Sequence, residues 1–145
     1  MEERKRKKSW NEKVSEAKSS YLRSRSSEHL SKDFYKNLFY LNPSLEKYFV
    51  DTDWKHQHIA LLKALEHLFN FLEEPDSYHR NHIKRIAKTH SSKNMNIHPQ
   101  HYYYWIDALI LTFKDHDKGW NRDLEFYMRE CLFFPVSFII SLYHH

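Results

Sequence analysis

Twelve histidines stand among 145 residues, so imidazole coordination of a metal is the first chemistry to weigh. No two of them are four residues apart, so neither HExxH nor HxxxH occurs, and the Glu-x-x-His pair of di-iron helix bundles is absent too. His79/His82 and His98/His101 are i, i+3 pairs that share a helix face. Without a matching set of carboxylates each pair reads as surface or interfacial histidine. His144 and His145 close the sequence. His90 differs from all of these. Ile83, Ile86, Ala87 and His90 fall at i, i+3, i+4 and i+7, which sets the imidazole on an apolar helical stripe just before the polar run Ser91-Ser92-Lys93-Asn94. An inward histidine either hydrogen-bonds within a core or ligates a metal, and the stripe by itself leaves both open.

The elements that would position such a residue are helices. Leu30, Phe34, Leu38 and Leu41 form one stripe, ended by Asn42-Pro43, where the proline ring stops helix continuation. Leu61, Leu65, Leu68 and Leu72 form a second, stopped at Glu74-Pro75. Tyr102, Trp105, Ile106, Leu109, Ile110 and Phe113 follow the stripe that ends at His90. Trp120, Leu124, Tyr127, Met128 and Cys131 run on towards Pro135, and Trp10, Val14, Ala17 and Tyr21 predict a further helix ahead of them all. Asn42 is a good N-cap with proline in the first turn after it, Pro99 stands in the same relation to its stripe, and Gly119 is expected to open the last helix. Alternating β patterns are missing. The predicted class is all-α.

Composition removes several alternatives. A single glycine excludes phosphate-cradling and dinucleotide-binding loops, and Asn-Gly and Asp-Gly hairpin turns are absent. The lone Cys131 excludes an intrachain disulfide framework and a cysteine-rich zinc site, and fits a reducing compartment. No run approaches the roughly 20 apolar residues of a membrane span, and no apolar segment of a secretory signal follows the basic start, so a cytoplasmic protein is expected. The 24 aromatic residues (ten Tyr, ten Phe, four Trp) are ample for one buried core in residues 10–145. Three of the four net positive charges fall in the first ten residues, where Arg4, Lys5, Arg6, Lys7 and Lys8 face only Glu2 and Glu3. Residues 1–9 therefore read as a disordered basic tail on a nearly neutral body.

The segment from Phe34 to Phe49 (FYKNLFYLNPSLEKYF) matches "FY..LF..NP.L...F" without a gap and resembles the B–C helix signature of bacterial haemoglobins and flavohaemoglobins. Arg85-Ile86-Ala87-Lys88-Thr89-His90 and Ile97-His98-Pro99-Gln100-His101-Tyr102 are similar to the family's F helix and the start of its G helix, and Trp120 to the tryptophan of its last helix. The likeness spans residues 12–134. It implies a globin fold whose helices sandwich a haem b (iron protoporphyrin), with His90 as the proximal iron ligand. Phe49 matches the phenylalanine packed on the porphyrin, and Tyr35 the distal tyrosine. "ALLKAL" places Gln57 as the distal polar residue with Leu61 one turn on, while a slip of one residue places His58 or His56 there. Leu109 and Trp105 join Leu61 and Phe49 as apolar lining. Tyr102 matches a tyrosine hydrogen-bonded to the proximal histidine, but the glutamate of that network falls at Pro135. The loop after His90 is two residues longer than the family pattern. A backbone carbonyl one turn earlier is then the alternative partner for the imidazole.

The function implied is dioxygen binding at a five-coordinate ferrous iron, for oxygen storage or transport, with nitric oxide dioxygenation as an enzymatic activity. No flavin reductase domain is expected, so turnover would need an external electron donor. Two donors such as Tyr35 and Gln57, each worth about 1.5–3 kcal/mol to a charged acceptor, argue for tight oxygen binding. Two other readings stand beside this one. One is a haem-based gas sensor signalling through another chain. The other is a helical nucleic-acid-binding module built on the basic tail and on His82, Lys84, Arg85 and Lys88, which the near-neutral body disfavours.

Overall fold

The first helix starts where the sequence offers a cap. Ser9 accepts the Glu12 amide on its hydroxyl (3.2 Å) while the Glu12 carboxylate accepts the Ser9 amide (3.1 Å), a reciprocal capping box that opens α1, Trp10–Ser24. The structure is a computed structural model and describes residues 7–145; positions 1–6 of the basic tail lie outside it. After α1 come α2 (Leu30–Leu41), a 3₁₀ turn (Pro43–Phe49), α3 (Trp54–Glu73), α4 (Ser77–His90), α5 (His101–His116) and α6 (Arg122–Ser141). There is no strand among the described residues.

Capping explains most of the joints. Asn42 accepts the Ser44 amide (3.1 Å) with Pro43 in the first turn, so α2 ends and the 3₁₀ turn begins at one residue. Asp53, Asp76 and Asn121 cap α3, α4 and α6 in the same way. Two joints differ from expectation. The last helix opens at Arg122 behind its Asn121 cap, not at Gly119-Trp120. The Pro99 stripe becomes helical only at His101, after a turn closed by His101 N–H on the His98 carbonyl (2.9 Å).

A larger difference concerns Pro135. Proline in a helix interior removes one amide donor and costs about 3 kcal/mol. Even so, α6 runs through it for six more residues. Cys131, Leu132, Pro135, Val136 and Ile139 are all buried, and that packing outweighs the local cost. The continuation puts Val136 and Ile139 inside the molecule, where they meet the site described below.

In the packing, α2 meets α5, α1 meets α6, and α3 meets α4 most extensively. The Tyr21 ring of α1 stacks on Phe69 of α3 (4.8 Å between centroids) and meets Phe113 of α5 edge-on. Asn37 donates to Thr112 (3.0 Å), and His116 bonds Asp33 (2.7 Å), pinning α2 to α5 at two points. At the α5–α6 corner Asp117 is buried. Its carboxylate accepts Ser20 Oγ (2.6 Å), Arg23 Nε (2.5 Å), Arg23 Nη2 (2.9 Å) and the Gly119 amide (2.8 Å). Burial alone would raise its pKa, but the Arg23 guanidinium and the other donors hold it below the ordinary carboxylate value. A Cβ at position 119 would lie 2.9 Å from Arg23 Nε, the far end of a flexible side chain.

Candidate functional site

Between the α2–α3 pair and the α4–α6 helices lies a cavity of about 390 Å³. Gln57, Ala60, Leu61, Ala64 and Leu68 line one side at i, i+3, i+4, i+7 and i+11, a single face of α3. Two alanines on that face leave the room that larger side chains would fill. Phe34, Tyr35 and Leu38 of α2 and Leu45, Tyr48 and Phe49 of the 3₁₀ turn continue the wall, and Trp105 closes it from α5.

Tyr35 is the polar centre of that wall. Its hydroxyl accepts a hydrogen bond from Gln57 Nε2 at 2.7 Å. Phe34, Phe39, Phe49 and Trp54 surround its ring, and Phe49 and Trp54 stack nearly parallel, 12° apart. Burial pushes the Tyr35 phenol up to about 12, against a smaller opposing pull from Gln57, so it is a neutral hydrogen-bond donor at neutral pH. Gln57 is the one of the three distal alternatives that lines the cavity. His58 turns away to bond Ser31 Oγ through Nδ1 (2.6 Å), and His56 lies exposed with Asp53, the cap of α3 (2.8 Å).

Across the cavity His90 stands at the last position of α4. Its Nδ1 is bonded to the Tyr102 hydroxyl at 3.1 Å, so the imidazole is held by the tyrosine and not by a backbone carbonyl, and Nε2 is left unused. Burial pushes the imidazole below its ordinary value and holds the Tyr102 phenol above its own, which keeps both neutral. The loop after His90 folds back on the helix end. The amides of Met95 and Ile97 bond the carbonyls of Thr89 (3.0 Å) and His90 (2.9 Å), and Asn96 adopts the left-handed conformation (φ 54°) that the reversal demands. Tyr143, just beyond α6, bonds the Asn96 side chain and accepts the Ser92 amide on its carbonyl (2.9 Å). The longer loop thus carries Met95 and Ile97 to the cavity while capping the helix that presents His90.

Of the residues singled out in the sequence, Tyr35, Phe49, Gln57, Leu61, His90, Tyr102 and Trp105 all border this one cavity. Leu109 does not. It is fully buried one helical turn beyond Trp105, and Val136 and Ile139 of α6 close the cavity in its place. Those two were hidden by the expectation that α6 stops near Pro135. His101 also lines the cavity, although its i, i+3 spacing with His98 reads as a surface or interfacial pair. Its Nδ1 is buried without any hydrogen-bond partner, and its ring meets Tyr48 edge-on and stacks on His98. The visible signal was its place immediately before Tyr102. Among the described residues no three metal-ligating side chains converge on one point, and the cavity lining holds two imidazoles, His90 and His101, together with the Tyr35–Gln57 pair.

No protein-family model matches this sequence, and no curated protein matches it. Among solved structures, the chain is similar to PA3967 of Pseudomonas aeruginosa PAO1, described as structurally highly homologous to a human haemoglobin. The TM-score is 0.85, with 22% identity over 92% of this chain and 99% of that one. The chain has the globin fold. Among the described residues six α-helices and one 3₁₀ turn build it, and the cavity that His90 and Tyr35 both line lies among five of those α-helices.

Proposed function

We propose that this globin-fold chain binds haem b non-covalently and takes dioxygen at the ferrous iron, with His90 as the proximal ligand. The observation that carries the reading is the pairing within one apolar cavity. A tyrosine-held imidazole with a free Nε2 stands on one side, and a tyrosine–glutamine donor pair stands on the other.

The residues fit the group. The lining is mainly aliphatic and aromatic, as a large apolar plate requires, and the two alanines of α3 give it space. The unpartnered His101 Nδ1 supports a polar edge to the bound group, since a buried nitrogen without a partner costs about 1–3 kcal/mol until something bonds it. A haem carboxylate is such a partner. Cys131, the only cysteine, is buried in the core away from the cavity lining, which supports non-covalent attachment. When bound, haem supplies a redox-active iron with a position open to a diatomic ligand.

The chain's own residues then divide the work. His90 offers Nε2 while Tyr102 holds the ring orientation through Nδ1. Gln57 donates to the Tyr35 oxygen, which leaves the Tyr35 O–H proton free to be donated to a polar ligand in the cavity. Phe49, Leu61 and Trp105 exclude water around it, which strengthens those hydrogen bonds. Tight oxygen retention and, given an external electron donor, nitric oxide dioxygenation are the activities this arrangement favours over easy release. No described helix is long and apolar enough to cross a membrane.

The test is reconstitution with haemin, reduction, and stopped-flow measurement of oxygen release from wild type, Gln57→Leu and His58→Leu. Release about tenfold faster in Gln57→Leu and unchanged in His58→Leu is expected for the loss of one such hydrogen bond. No Soret band, or faster release only in His58→Leu, would contradict the reading.

A further inference from the structure

A second histidine cluster lies outside the cavity, where α3 meets the start of α4. His67 projects from the fourth turn of α3, and His79 and His82 from the first two turns of α4. All three are half-buried. His67 Nδ1 is 3.4 Å from His79 Nδ1, and the His67 and His82 rings stack with centroids 3.7 Å apart and planes 14° apart. Tyr78 packs edge-on against the cluster.

Two nitrogens facing each other at that distance make a long and poor hydrogen bond. The same separation suits a shared cation. Two imidazole nitrogens each roughly 2.0–2.1 Å from Zn²⁺, at a tetrahedral angle, stand roughly 3.3–3.4 Å apart. The stacked His82 ring fixes the plane of His67, as a positioning neighbour should. Crowding also favours the neutral form of His67: burial first, then His82 and His79, push its imidazole below its ordinary value, opposed by Glu66 and assisted by Arg85.

We infer that His67 and His79 form a bidentate site for a borderline divalent transition cation such as Zn²⁺, positioned by His82 and joining α3 to α4. No third ligand converges on the same point among the described residues, so water completes the coordination. The consequence reaches the cavity, because α3 carries Gln57 and Leu61 and α4 carries His90. A cation at this junction clamps together the two helices that bear the distal and proximal groups. The inference stands on its own geometry and does not depend on haem binding.

The experiment is calorimetric titration of the full chain with Zn²⁺, with thermal melting at matched Zn²⁺ as a second readout. Wild type and a His98→Ala control should bind one ion in this site and melt higher with Zn²⁺, since a ligand bound only by the folded state raises its stability. His67→Ala and His79→Ala should each weaken binding by about tenfold or more and lose the Zn²⁺-dependent rise in melting temperature, while His82→Ala should weaken it less. Circular dichroism of the metal-free variants separates loss of the site from loss of the fold. Equal binding by wild type, His67→Ala and His79→Ala, or no binding by folded wild type, would overturn the inference.

Discussion

The molecule contains two buried polar centres with opposite hydrogen-bond accounts. At the α5–α6 corner the Asp117 carboxylate accepts four donors, from Ser20, Arg23 and Gly119. In the cavity, His90 Nε2 is unspent, the Tyr35 hydroxyl proton has no need of Gln57, and His101 Nδ1 has no partner at all. A saturated cluster holds architecture together. A cluster with capacity left over is built for something that arrives later, because native interiors rarely tolerate such groups otherwise.

If that contrast is right, the two centres respond to substitution in different currencies. The largest effect on folding should come from Arg23→Ala, which leaves a buried carboxylate without its cation. We expect a loss of about 3 kcal/mol by urea unfolding, with haem binding retained in whatever remains folded. The pH dependence follows from the same group. Asp117 is held below its ordinary 3.8, so its stabilisation is complete above that value and is lost as pH falls through the lower folded value. Acid titration of stability should therefore be shallower below pH 3.8 in Asp117→Asn than in wild type.

Substitutions in the cavity should change ligand chemistry first. Tyr102→Phe removes the hydroxyl that holds His90 Nδ1 and should cost about 1 kcal/mol of stability. Its sharper signature is a shift in the ferrous absorption spectrum, which a merely structural role would leave in place. His101→Leu should slow neither folding nor ligand exchange, but it should raise the rate of haem transfer to an acceptor protein about tenfold by removing one bond to a haem carboxylate. The smallest effect is expected at Gly119→Ala. The clash there is with the flexible end of Arg23, which can shift, so less than about 1 kcal/mol should be lost by the same urea assay.

Much of this was legible in the residue order because caps and stripes are local. Asn42-Pro43 marks the joint of α2 with the 3₁₀ turn, and Glu74-Pro75 the end of α3. The stripe ending at His90 already placed the imidazole at an inward helix end. What escaped was decided by packing between distant segments. Helix propensity argues against α6 beyond Pro135, but buried Val136 and Ile139 carry it on, and with them went the true lining beyond Trp105. The distal register was ambiguous because α3 is apolar on more than one face. Leu65 packs in the core, Leu61 meets the cavity, and Leu62 accepts the Tyr21 hydroxyl on its carbonyl. Only the assembled neighbours show that His58 has gone to Ser31 and left Gln57 to Tyr35.

If the unspent Nε2 of His90 exists to hold haem iron, the ferrous absorption spectrum will report it. Wild-type protein reconstituted with haemin and reduced should give a five-coordinate, histidine-ligated ferrous spectrum that converts to an oxygenated form in air. His90→Ala, folded to the same helical content, should lose that spectrum. An unchanged spectrum in His90→Ala would contradict the assignment of the proximal ligand, and the absence of any haem spectrum in wild type would contradict the account as a whole.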